Sequence, residues 1–357
     1  MSKLGIIGKA RGVKLTAVLL LLGLLVLAGG CGKQPAATEN QPPAQQAPAQ
    51  QSPVVEMRLA HAFPETHPDG QTLKFWAEEV GKRTNGAVKI TVYPAESLIK
   101  TQEHFKALIQ GTVEIAHLPS TYLSSEAKEF APLDVAGLFE ASKFIEINQA
   151  IAPVMEKIMN KYGLHYLFAT FPGDTVFYLR QNKEIHRPAD IKGLRVRDHG
   201  YWIAKTIKAW GGTPTFLPPA DVSVAFERGT VDAGYTGWPF VMAYKLYEQA
   251  PYVTWMGYQN MWCFVGMRKD LWDKLTPEQQ QILTDVGKEA MEMNKKLNDQ
   301  ALEKFKSLVT QAGGKIYYPT PEEKAAFEAA LKPLHEEVAQ YSGELGQELI
   351  NALRSVK

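Results

Sequence analysis

The 357-residue chain balances 39 Lys and Arg against 38 Asp and Glu, a formal net charge of +1, and contains two cysteines. That balance excludes a protein held to nucleic acid by a basic excess. Two cysteines exclude a scaffold stapled by several disulfides, so apolar burial has to supply the stability.

Lys3, Lys9, Arg11 and Lys14 precede an apolar run from Leu15 to Leu27, which ends in Ala28-Gly29-Gly30 before Cys31. A positive start, an apolar middle and small residues at the end form a secretory signal. The run falls short of the roughly 20 apolar residues of a spanning helix. The segment resembles a bacterial lipoprotein signal, which implies removal of residues 1–30 and acylation of Cys31 as the new N-terminus. Residues 31–53 are mostly Pro, Ala and Gln and lack the apolar content to pack, so a disordered leash is expected. The folded part is then extracytoplasmic and lipid-anchored to the cell membrane. Cys263, in the apolar string Met261 to Val265, reads as a buried inert thiol.

From Val54 onward, strand and helix patterns alternate. Val55 to His61 reads as a strand. Leu73, Trp76, Ala77 and Val80 give helical spacing over 69–84, with Asn85-Gly86 as the stop. Val88, Ile90 and Val92 alternate with polar residues. A helix with Phe105, Leu108 and Ile109 inward ends at Gly111, and a strand over Thr112 to His117 follows. The order recurs about a hundred residues later. Strands near 176–180 and 194–197 precede a helix over 201–210, a strand over 213–216, a helix over 220–228 and a strand over 230–234. Two such halves predict an α/β fold of two lobes with mainly parallel sheets and a cleft between them.

Thr276-Pro277-Glu278-Gln279 is a helix start, and no breaker follows until Gly313-Gly314. Apolar residues at 283, 286, 290, 293, 297, 301, 305 and 308 keep helical spacing throughout. At 1.5 Å per residue the rod is roughly 50 Å long, more than one lobe needs, so it is expected to run along both. Thr320-Pro321-Glu322-Glu323 opens another helix in the same way.

HAFPETHP (61–68), YPAESL (93–98), the Gly111 turn before TVEIA, PADIKGLRVR (188–197) and FERGTVDAGY (226–235) stand in one order over 54–357. With the long capped helix, this series resembles the extracytoplasmic solute receptors of TRAP transporters, the tripartite ATP-independent uptake systems. The resemblance implies a periplasmic-binding-protein-like fold spanned by that helix. It assigns 54–173 plus about 262–301 to lobe I and 174–261 plus about 302–357 to lobe II. It also implies delivery of a small organic acid to a small and a large integral membrane subunit.

Arg197 is the principal candidate for the solute. Leu194 and Val196 alternate with Arg195 and Arg197, and ligands of open α/β sheets lie beyond the carboxyl ends of strands, which favours Arg197. The family's carboxylate-binding arginine also falls on Arg197, whose fork of donors matches a carboxylate bidentately. His61 and His117 end lobe I strands and are further candidates. Thr236 stands where many relatives carry asparagine, and Phe177 where some receptors of acidic sugars carry a second arginine, so that specificity is not expected. Phe177, Tyr235, Trp238 and Trp262, with Tyr201 and Trp202, suggest flat apolar walls. A hydrophobic or aromatic monocarboxylate is the first choice, and a short dicarboxylate or 2-oxo acid the alternative.

No His-Glu-x-x-His helix, Gly-x-Ser-x-Gly elbow or phosphate loop occurs, so an enzyme is not expected. His61 and His67 have no acidic cluster beside them, and no metal or other cofactor is expected. A receptor for an ATP-driven importer or a sensory system is the other reading of the same architecture.

Overall fold

Met57 and Leu59 on β1 (Val55–Ala60) meet Leu73, Trp76 and Val80 on α1 (Pro68–Arg83), and around this contact the first lobe is built. The computed structural model describes residues 54–258 and 260–356; the expected leader, Cys31 and the 31–53 leash lie outside them. The chain continues through β2 (Val88–Tyr93), α2 (His104–Ile109), β3 (Ile115–Pro119), α3 (Phe144–Lys161) and β4 (Leu164–Thr170). It then crosses into β5 (Thr175–Leu179), β6 (Arg195–Asp198), α4 (Tyr201–Ala209) and β7 (Thr213–Phe216). α5 (Val222–Glu227), β8 (Ala233–Gly237), α6 (Trp238–Ala243) and β9 (Tyr252–Trp255) complete that excursion. The chain returns as β10 (Cys263–Arg268), α7 (Lys269–Trp272) and α8 (Pro277–Gln311), and ends in β11 (Lys315–Tyr317), α9 (Pro321–Tyr341) and α10 (Gly343–Ser355).

The strands form two sheets, ordered β2-β1-β3-β10-β4 and β11-β9-β5-β8-β6-β7. The α/β class stands, but the sheets are mixed rather than mainly parallel. β1 runs parallel to β2 and β3, and β6 to β7 and β8. β10 comes back from the second lobe and so runs against β3 and β4, while β5 runs against β8 and β9.

The two halves share a local device. Gly111 and Gly229 take positive φ (73° and 67°) after α2 and α5. The next residues, Thr112 and Thr230, donate their N–H back to Ala107 and Ala225 at 2.8 and 2.9 Å, closing both helix ends. Those threonines are thereby used up, which is why β3 and β8 begin three residues later than the sequence pattern suggests. Glu114 then pairs with Arg58, and Asp232 with Arg195, each through 2.7 Å bonds. Ile109 is a correction. It is 48 % exposed, because α2 ends there and its buried residues are His104, Phe105, Ala107 and Leu108.

α8 opens with a reciprocal cap, Thr276 with Gln279, which contributes about 1 kcal/mol. It packs on α1 and β4 of the first lobe and on α6 and β11 of the second. Midway, however, its buried residues are Asn294 and Asn298, while Met293 and Leu297 are only half-buried. The C-terminal segment divides: β11 joins the second sheet, whereas α10 packs on α3 beside the first. Among the described residues no helix is long and apolar enough to cross a membrane.

Candidate functional site

β6 ends at a cavity between the lobes. Of its two arginines, Arg195 lies outside and forms a forked pair with Asp232, Nε to Oδ2 at 2.9 Å and Nη2 to Oδ1 at 2.7 Å. Arg197, two residues on, is 1 % exposed. Its Nε and Nη2 both donate to the Leu217 carbonyl, at 3.2 and 3.1 Å, and its guanidinium sits 4.8 Å from the centre of the Phe240 ring. Among the described residues no carboxylate lies within 4.0 Å of it. The adjacent Asp198 instead accepts the Gly200 N–H. A buried guanidinium without a counter-charge is costly unless an anion arrives to meet it.

The cavity is tight, with a volume of about 30 Å³. Arg197, His199, Thr236 and Phe240 line it from the second lobe; Phe63, His67, Asp69 and Tyr122 line it from the first. Gly237 allows the crossing segment to close over it, since a Cβ there would sit 2.2 Å from the Pro172 carbonyl oxygen.

Burial sets the charge of the remaining polar groups. His67 caps α1, its Nδ1 accepting the Asp69 N–H at 3.0 Å, and its ring stacks on Phe63 at 4.0 Å. Desolvation, with His61 nearby, pushes its pKa down to about 3, so it is neutral. His199 is also buried and neutral, held well below the usual range by desolvation and by the Arg197 charge; among the described residues neither of its ring nitrogens has a partner. Asp69 Oδ1 accepts from Asn294 Nδ2 at 2.8 Å, while Oδ2 has no hydrogen bond among the described residues; burial pushes this carboxyl up to about 7.

Of the residues expected from sequence, Arg197 and Thr236 share this cavity. His117 lies behind Asp69, its Nε2 2.8 Å from Thr170 Oγ1. His61 is buried beside it and borders a separate depression with Glu65 and Lys74. Phe177 and Tyr235 stack on each other at 4.7 Å in the core on the opposite face of the second sheet, since Thr236 faces the cavity and its neighbour Tyr235 must point away. Trp262 packs between Phe139 and Phe144, and Trp202 is buried, while Tyr201 is largely exposed. Trp238 stacks on Phe305 and borders a wide groove of about 770 Å³ with Phe171, Asp174 and Trp255, in which no charged side chain among the described residues is buried.

Sequence reasoning missed His67, His199, Asp69, Tyr122, Phe63 and Phe240. His199 stood two positions beyond Arg197, and His67 lay inside the HAFPETHP motif. Asp69, His117 and Cys263 place one donor atom each within 4.8 Å of one another. Thr170 and Asn294 already engage His117 and Asp69, and burial keeps the thiol well above its usual pKa and therefore protonated. Among the described residues Asp69 Oδ2 and His117 Nδ1 have no hydrogen-bond partner.

Residues 59–341 match the family described as bacterial extracellular solute-binding protein, family 7. The C4-dicarboxylate-binding periplasmic protein DctP of Rhodobacter capsulatus is 26 % identical over 316 residues, covering 85 % of this chain and 91 % of that one. DctP6 of Bordetella pertussis, a solute receptor binding pyroglutamic acid, superposes with a TM-score of 0.78 at 23 % identity, over 84 % of this chain and all of that one. A TRAP periplasmic solute-binding protein of Sulfurospirillum deleyianum with bound succinate gives a TM-score of 0.75 at 24 % identity, over 86 % of this chain and all of that one.

Proposed function

This chain belongs to the bacterial extracellular solute-binding proteins of family 7, the TRAP-type receptors, and we propose that it captures a small organic monocarboxylate on Arg197. It is a binding receptor, not an enzyme. The observation that carries the proposal is the buried, counter-ion-free guanidinium at the cavity wall.

A monocarboxylate is favoured over a dicarboxylate by the charge inventory. Arg197 is the single cationic side chain among the described residues lining the cavity, and His67 and His199 are neutral. A second carboxylate would be desolvated without a partner. Phe63, Phe240 and Met261 supply apolar walls for the body of the solute. The C4-dicarboxylate named for the Rhodobacter capsulatus relative supports the alternative, a short dicarboxylate.

The solute is delivered to the small and large integral membrane subunits of a TRAP system, with the receptor held at the membrane through acylated Cys31. A thermal-shift screen of aliphatic and aromatic monocarboxylates against succinate and malate tests the solute class. Stabilisation by the diacids alone would overturn it. Mass spectrometry of the protein from its native membrane tests the acyl chain on Cys31.

A further inference from the structure

The cavity contains a directed donor that a carboxylate on Arg197 leaves unused. His67 Nδ1 accepts the Asp69 N–H at 3.0 Å, so Nδ1 carries no hydrogen and the neutral ring must carry it on Nε2. Among the described residues that N–H has no partner, on a ring only 2 % exposed that lines the cavity. Phe63, stacked at 4.0 Å and 14°, fixes the plane of the ring. Cap and stack together therefore settle both the tautomer and the direction of the donor. From the other lobe His199 lines the same cavity, with both ring nitrogens buried and unpartnered.

We propose that His67 is a specificity-determining residue: its Nε2–H donates to an uncharged acceptor oxygen on the body of a solute whose carboxylate lies on Arg197, with His199 as a second neutral partner. The solute class is thereby narrowed to monocarboxylates bearing a carbonyl, amide or hydroxyl oxygen. The inference rests on the carboxylate reading above. A purely apolar body would leave the His67 N–H and the His199 ring nitrogens desolvated and unmatched. Both histidines are already neutral through burial, so recognition here requires no proton exchange.

The test is calorimetric titration of the full chain with pentanoate, 2-oxopentanoate, 4-oxopentanoate and glutarate. At least one oxo acid is expected to bind about tenfold or more tightly than pentanoate, the scale of one well-made hydrogen bond in a dry site. In His67→Asn the amide oxygen still caps Asp69 N–H, but no atom reaches the Nε2 position, and the oxo-to-pentanoate ratio is expected to collapse towards one. A ratio near one in the parent, an unchanged ratio in His67→Asn, or glutarate binding more tightly than both oxo acids would overturn the inference while leaving Arg197 in place. Failure of all four acids to bind, or unchanged pentanoate affinity in Arg197→Ala, would instead overturn the carboxylate reading. Should His67→Asn not fold, nitrogen-15 spectra of the parent decide. The His67 ring is expected as the Nε2–H tautomer, and that proton should shift on adding the tighter oxo acid but not pentanoate; an Nδ1–H ring would overturn the proposal.

Discussion

Asn294, halfway along α8, donates its side-chain amide to Asp69 Oδ1 at 2.8 Å and accepts the Phe171 N–H on its Oδ1 at 2.6 Å. One side chain thus joins the spanning helix to the cavity wall and to the segment between β4 and β5. Asn298, one turn on, adds a bond to the Phe171 carbonyl at 3.4 Å. Asn294→Leu keeps the helix and a similar volume but leaves a buried N–H and a carboxyl oxygen without partners. Loss of about 2–4 kcal/mol of stability is expected, measured by urea unfolding. A loss below about 0.5 kcal/mol would show the linkage to be dispensable.

On the proposed reading, Arg197→Ala removes a charge-assisted contact to the solute worth about 1.5–3 kcal/mol, so affinity should fall roughly 10- to 150-fold. Arg197→Lys is not expected to restore it, because an ammonium cannot hold the Leu217 carbonyl and a carboxylate as a planar fork does. Calorimetry with the best acid from the thermal-shift screen checks both. Normal binding by the lysine variant would rule out a forked contact.

Phe240 lies under the same guanidinium at 4.8 Å. Phe240→Leu keeps an apolar wall and removes the ring face. Affinity is expected to weaken about 3- to 10-fold, in keeping with the ~0.5–2 kcal/mol of a cation–aromatic contact. A change in melting temperature without any change in affinity would place Phe240 in packing alone.

Asp134 is buried, accepts from the Ser120 hydroxyl on Oδ1, and among the described residues has no partner on Oδ2. Burial pushes its pKa up from 3.8 to about 7. Between those values the folded chain holds a proton that the unfolded chain has released, so this group's contribution to stability falls as pH rises. In Asp134→Asn that dependence is gone. Its stability relative to the parent should therefore climb from pH 4 to pH 7, by on the order of a few kcal/mol. Urea melts at pH 4.5, 6 and 7.5 measure it, and parallel curves for the two proteins would refute it.

Periodicity served where one face met a core and the other water. The capped start of α8, its stop before the glycine pair and its reach along both lobes were all legible. The place of Arg197 at the cavity wall, rather than that of Arg195, was legible for a related reason, since strand alternation and the carboxyl-end rule act over four residues. Phe177 and Tyr235 were harder. β5 and β8 are buried on both faces, so nothing in the local pattern says which face meets the cavity. His67 was hidden because its partner is the backbone two residues away, and histidine is an uncommon cap. Asn294 and Asn298 interrupted the expected apolar stripe for a reason no local pattern carries: Asp69 and Phe171 stand 225 and 123 positions away.

The two hydrogen bonds that Arg197 donates to the Leu217 carbonyl preorganise its guanidinium. A free arginine would have to freeze several torsions each time a solute arrived, whereas this one is already immobilised by its own lobe. On the carboxylate reading, a solute meeting this lobe finds the guanidinium already in place, so less torsional freedom is lost on binding.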